Sequence, residues 1–195
     1  MGIGGGPNEW DEYEWVRLAD QADAPVVDLA PLVRALCSWV DETDLWQADG
    51  LRILLVDLDN LRADPRRWQA RMALVVALAR QADHTALAGQ VGAVARGRPH
   101  LAEFAKRAKP VADGSDVADY VLLAEADAVM EDGAHVMVLS NDGIFASLAD
   151  RARLTVLSPG ADALSDRLRD AADDVVDLTR LEERALPSVL ADVQR

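Results

Sequence analysis

Cysteine and lysine are nearly missing from this chain. Its 195 residues include one cysteine, Cys37, and two lysines, Lys106 and Lys109. A lone cysteine excludes an internal disulfide framework and fits a reducing compartment. No apolar run approaches the roughly 20 residues that a membrane helix needs. The first residues lack the basic, apolar and small-residue order of a secretory signal. A soluble cytoplasmic protein with no membrane contact is the expectation. Positive charge is also short: 20 Lys and Arg stand against 34 Asp and Glu, a net charge of −14. Non-specific DNA binders draw most of their affinity from neutralising phosphates. Any nucleic-acid contact here therefore depends on a local basic patch or on bound cations. No Ser–His–Asp order and no phosphate-binding P-loop is present. The opening "GIGGGP" follows no strand, which a dinucleotide loop would require.

What is present is an alternation of apolar strands and helices. The length suits one domain with an added segment, large enough for a core without staples. Residues 1–24 are polar and acidic and read as a flexible terminus. Residues 25–50 read as a helical extension, with a helix from Pro25 to Gln47 whose stripe is Leu32, Leu36 and Val40. From Leu51 the pattern becomes strand, helix, strand. "LRILLVDLD" reads as a continuous apolar strand, Pro65–Gln81 as a helix, and "HTALAGQVGAV" as a second strand. A short helix over Pro99–Arg107 and a third strand, "KPVAD", follow. Asp116–Glu131 reads as a helix with Val117, Val121, Ala124 and Ala128 on one face. "HVMVLS", "LTVLS" and "DVVDL" are further strands, separated by helices at Gly143–Ala152 and Ala163–Ala171. Residues 182–195 form a helical tail. This alternation predicts an α/β fold, a three-layer doubly wound and mostly parallel sheet over residues 51–181.

In such a sheet, ligands bind at the carboxyl ends of the strands, and three acidic clusters fall there. Asp57, Asp59 and Asn60 end the first strand; Asp116 and Asp119 open the helix after the third; Ser140, Asn141 and Asp142 end the fourth. Each cluster alone can be read as capping. Asp116 suits a helix N-cap with Asp119 in its first turn, Asp142 suits a cap before Gly143, and Asp59 or Asn60 suits the turn before Pro65. Together they require a cation, because crowded carboxylates repel. Oxygen-only ligands favour Mg²⁺ or Mn²⁺ over zinc, so the rim predicts a metal site that handles phosphates. The basic counterpart is Arg96, Arg98, His100, Lys106, Arg107 and Lys109, extended by Arg62, Arg66 and Arg67. His84, His100 and His135 lack ligand spacing and are expected at the surface or as caps. Cys37, on an apolar helix face, is expected as a small core residue.

"LLVDLDNL", "GSDVADYVLLAEA" and "VMVLSNDGIFASLA" together resemble the NYN branch of the PIN-like nucleases, over roughly Leu51 to Leu181. The resemblance implies metal-dependent hydrolysis of phosphodiesters, with single-stranded or structured RNA as substrate. Asp57, Asn60, Asp116, Asp142 and Phe145 match the family's motif positions. By that resemblance, Asp57, Asp116, Asp142 and Asp59 would hold Mg²⁺ or Mn²⁺, and Asp119 or Asp59 would ligate a second metal or take the proton. Asn60 would complete the catalytic group. Ser140, Asn141, Arg62, Arg98, Lys106 and Lys109 would contact substrate. The chain departs from the family at Ser115 and Ile144, where many members carry acids.

Those departures leave a second reading, a degenerate PIN-like module that binds a protein partner or forms a homodimer through the N-terminal helix with Trp39 and Trp46. A third is a haloacid-dehalogenase-like phosphatase, since "VDLDNL" imitates its Asp-x-Asp motif. That chemistry needs a lysine after the second motif, and none occurs after Lys109.

Overall fold

The structure, a computed structural model, describes residues 30–46, 50–61 and 63–193. The acidic terminus over residues 1–24 and Arg62 lie outside the described residues. The chain order is α1 (Ala30–Glu42), β1 (Arg52–Asp57), α2 (Pro65–Gln81), β2 (His84–Gln90) and α3 (Val91–Gly97). Two 3₁₀ turns, Arg98–His100 and Ala102–Arg107, lead to β3 (Ala108–Val111). Then come α4 (Val117–Val129), β4 (His135–Leu139), a 3₁₀ turn at Gly143–Leu148 and β5 (Arg153–Ser158). A 3₁₀ turn at Ala161–Ala163, α5 (Asp166–Ala171), β6 (Asp174–Asp177) and α6 (Leu178–Val193) complete it.

All six strands are parallel, in the order β3-β2-β1-β4-β5-β6. β1 explains the three layers. Ile53, Leu54, Leu55 and Val56 are fully buried, and alternate residues face opposite sides. Leu54 and Val56 join one core with α1, α2, α3 and α6; Ile53 and Leu55 join the other with α4, α5 and the Gly143–Leu148 turn. Each such side chain contributes about 1.5–3 kcal/mol relative to exposure. Successive connections run one way from β1 through β2 to β3, then cross back to β4 on the other side of β1. Loops leaving β1 and β4 therefore diverge, and a crevice opens between their carboxyl ends. Proline 110 lies in the edge strand β3, where a missing ladder donor is tolerated.

The helix over Pro65–Gln81 matches its expected span. Its start is capped by Asp64, whose Oδ1 accepts the Arg67 N–H at 3.3 Å, and not by Asp59 or Asn60. "HTALAGQVGAV" is not one strand: the chain turns into α3 at Val91. The expected face of α4 is also displaced. Its buried residues are Ala118, Asp119, Leu122 and Ala126, while Ala124 and Ala128 are exposed. In α1 the buried stripe is Leu32, Leu36 and Val40, packed within the chain against α2 and α6. Cys37 is only half-buried.

Two buried polar features hold the frame. Arg71 of α2 donates from Nε to Glu182 Oε1 at 2.6 Å and from Nη2 to the Pro159 carbonyl at 2.9 Å, tying α6 to the sheet. His135, expected at the surface, is fully buried at the amino end of β4. Its Nε2 lies 2.8 Å from Thr155 Oγ1, and its ring meets Trp46 edge-on at 5.3 Å. Burial holds its pKa below the ordinary histidine value, with Arg153 adding to the effect. Among the described residues, no helix is long and apolar enough to cross a membrane.

Candidate metal centre

The crevice between β1 and β4 gathers carboxylates from three loops. Asp57 is the last residue of β1 and is buried. Its Oδ1 accepts the Asp59 N–H at 2.9 Å, and its Oδ2 accepts from Asn60 Nδ2 and, at 3.4 Å, from Ser140 Oγ. Burial pushes the Asp57 pKa up, and the Asn60 and Asp59 donors oppose that rise. Asn60 is thus the clamp on Asp57. Asp59 turns away toward the next strand, where its Oδ2 accepts the Gln90 N–H at 2.7 Å. Its Oδ1 is buried with no partner among the described residues.

Ser140 connects β1 to the loop after β4, since its Oγ also accepts the Asp142 N–H at 3.2 Å. Asp142 caps the following 3₁₀ turn, its Oδ1 accepting the Ile144 N–H at 2.9 Å. The capping role is therefore real, but it occupies only one oxygen. Phe145, fully buried behind it, anchors the turn. Asn141 faces β5: it donates to the Gly160 carbonyl at 3.2 Å and accepts from Ser158 Oγ at 2.6 Å.

Asp116 precedes α4 in the left-handed region, at φ 61° and ψ 4°, and its side chain makes no cap hydrogen bond. A non-glycine residue held there costs on the order of 1 kcal/mol. Capping does not account for it. One turn on, Asp119 lies on the buried face of α4 at 6% exposure. Its Oδ1 is buried with no hydrogen-bond partner among the described residues. Burial pushes its pKa up to about 7, and the charges of Asp57, Asp142, Asp116 and Asp59 add to the rise.

One carboxylate oxygen from each of Asp116, Asp119 and Asp142 lies within 4.8 Å of the other two. This trio could hold a metal ion. It contains two of the expected ligands, Asp116 and Asp142, and joins to them Asp119, which the sequence suggested for a second metal or a proton. Asp57 and Asp59 stand beside the trio, close enough for their charges to act on Asp119. The donor set fits a hard cation: all oxygen, with an orphaned buried oxygen among the atoms.

Two of the expected substrate contacts, Lys109 and Arg98, turn to other partners. Lys109 ion-pairs with Glu125 on α4, and Arg98 donates to the Ala108 carbonyl at 3.4 Å. Lys106 is exposed in a turn that Glu103 ties to Arg80, in the last turn of α2. A different arginine approaches the rim. Arg167, in the first turn of α5, has its Cβ 3.7 Å from where a Cβ on Gly143 would stand. No pattern in the sequence marks it; only the packing of α5 on the Gly143 turn brings it there. Comparison with protein-family models, curated proteins and solved structures finds no match for this chain.

Proposed function

We propose that the chain is a divalent-metal-dependent nuclease that hydrolyses phosphodiester bonds in RNA, on a PIN-like fold of the NYN type. The carrying observation is Asp119, a carboxylate buried among four others with one oxygen unpartnered. Leaving that group without a counter-charge is costly, and a cation shared with Asp116 and Asp142 removes the cost. The oxygen donors favour Mg²⁺ or Mn²⁺. When bound there, such an ion supplies a nucleophilic water at neutral pH and neutralises charge on the phosphate.

The chain's own residues divide the remaining work. Asp116 is the exposed member of the site, Asp142 is half-buried, and Asp119 is its buried member. Asp57, clamped by Asn60 and Ser140, stands ready to orient water or accept its proton. Tyr120, exposed and adjacent to Asp119, offers a ring on which a base can stack. The phosphatase alternative is disfavoured because that chemistry needs a lysine after its second motif, and none follows Lys109.

The test is cleavage of labelled single-stranded RNA in Mn²⁺, Mg²⁺ or EDTA, by wild type, Asp119→Asn and Asp142→Asn, with Mn²⁺ binding measured in parallel. Cleavage should vanish in EDTA. Each variant should lose activity by about a thousandfold, the several kcal/mol that a metal contributes to the transition state. A folded wild type that binds no Mn²⁺ and cleaves no RNA would overturn the reading and leave the degenerate binding module in its place.

A further inference from the structure

The proposed site has an electrostatic gap. Asp57, Asp59, Asp116, Asp119 and Asp142 crowd one rim, and a phosphodiester approaching them is itself an anion. A bound divalent ion offsets only part of that charge. A substrate strand needs a cation beside the site, and Lys109 and Arg98 of the basic stretch are engaged with other partners.

Most arginines of the described residues are already engaged. Arg52 pairs with Asp83, Arg80 with Glu103, Arg151 with Asp127, Arg153 with Asp174, Arg169 with Asp166, and Arg180 with Asp177. Arg167 is exposed and forms no hydrogen bond or ion pair with the described residues. Its place is fixed by the backbone. The Ser165 N–H donates to the Asn141 carbonyl at 3.0 Å, which pins the start of α5 to the loop that carries Asp142. Gly143 permits the approach, because a Cβ there would stand 2.5 Å from Ser165 Oγ and 3.3 Å from Ser165 Cβ. The stem of Arg167 therefore begins beside the residue that follows Asp142, and its guanidinium is uncommitted.

We propose that Arg167 is a substrate-binding residue that seats a backbone phosphate of a single-stranded polynucleotide next to the Asp116–Asp119–Asp142 trio. This rests on the nuclease reading above. A planar guanidinium matches two phosphate oxygens, and such charge-assisted pairs are roughly twice as strong as neutral ones. Arg167 would thus place the strand, while the carboxylates act on the bond.

The experiment compares wild type, Arg167→Ala, Arg167→Lys and Arg169→Ala. Binding of a fluorescent single-stranded oligoribonucleotide is measured by anisotropy in Ca²⁺ over a range of salt. Mn²⁺ affinity is measured by calorimetry without nucleic acid. Loss of a hydrogen bond to a charged group predicts a dissociation constant raised at least about tenfold in Arg167→Ala. Loss of one phosphate contact predicts a salt slope shallower by about 0.7. Arg167→Lys should recover part of the affinity, Arg169→Ala should bind as wild type, and all four proteins should hold Mn²⁺ equally. Equal binding by Arg167→Ala and wild type overturns the assignment and leaves the nuclease reading standing. Equal weakening by Arg169→Ala also overturns it, because the effect would then be general charge. A wild type that holds Mn²⁺ but neither binds nor cleaves the oligonucleotide removes the nuclease reading and Arg167's role with it.

Discussion

Two buried clusters of charge lie on this sheet, and they are built on opposite plans. At Arg71 and Glu182, each carboxylate oxygen meets the guanidinium, at 2.6 and 3.2 Å, and the guanidinium also reaches the Pro159 carbonyl. At Asp119, every charge that bears on the carboxylate is another acid, and one oxygen has no partner among the described residues. The first cluster is complete within the chain. The second leaves room for a cation, since three of its carboxylates could hold one. A carboxylate kept buried among other acids is costly, which makes the site a candidate for a bound counter-charge.

The sharpest way to break the comparison is to unbalance the satisfied pair. Glu182→Ala strands Arg71 in the interior and should cost about 3–5 kcal/mol, whereas replacing both partners by Met and Leu should be close to neutral or stabilising. Thermal and denaturant unfolding check both. If the single and double variants lose the same stability, the pair is not the closed unit described here. Neither change should alter Mn²⁺ affinity.

The unbalanced cluster should respond with the opposite sign. In metal-free protein, the pKa of Asp119 rises on folding from an ordinary 3.8 to about 7. A raised folded-state pKa means that the native state holds its proton more tightly than the unfolded chain. Its stabilising effect is complete below the ordinary value and is lost as pH climbs through about 7. Stability without metal should therefore fall across that window, by at most about 1.4 kcal/mol per pH unit. Asp119→Asn should flatten the slope and raise the melting temperature at pH 8. It should also abolish the Mn²⁺-induced stabilisation, which at a hundredfold excess over the dissociation constant amounts to about 2.7 kcal/mol in wild type. A steep slope that survives in Asp119→Asn would place the titration elsewhere.

The same contrast explains what the sequence could and could not reveal. The rim was legible. Apolar strands end in acids at Asp57 and just past β4 at Asp142, and the βα rule sends both to one edge. The face of α4 was not. Its sequence, VADYVLLAEADAV, is apolar nearly all round, so periodicity selects no side. An acid then argues against burial, and the stripe through Val117 and Val121 looks better than the one through Asp119. Tertiary packing chose the stripe with the acid, which is the observation that carries the candidate metal centre. The turn into α3 was missed for a related reason, since a short apolar run does not distinguish a buried strand from a helix. Arg167 could not be found from sequence at all, because its approach depends on how closely α5 packs against Gly143.

That packing supplies the smallest and most specific prediction. In Gly143→Ala, the new Cβ meets Ser165 Oγ at 2.5 Å and Ser165 Cβ at 3.3 Å. Rotation of the serine hydroxyl relieves the first contact, and the second asks α5 to yield by a few tenths of an ångström. The stability cost should be about 1 kcal/mol, the low end for overpacking. Adding Ser165→Ala removes the hydroxyl, so the pair should be non-additive, with the double variant more stable than the sum of the single effects. Mn²⁺ affinity should hold in Gly143→Ala, because the trio draws on Asp142 and not on α5. Oligonucleotide binding should weaken, because the stem of Arg167 moves with α5. Weakened metal binding with intact oligonucleotide binding would reverse those assignments and separate α5 from the substrate path.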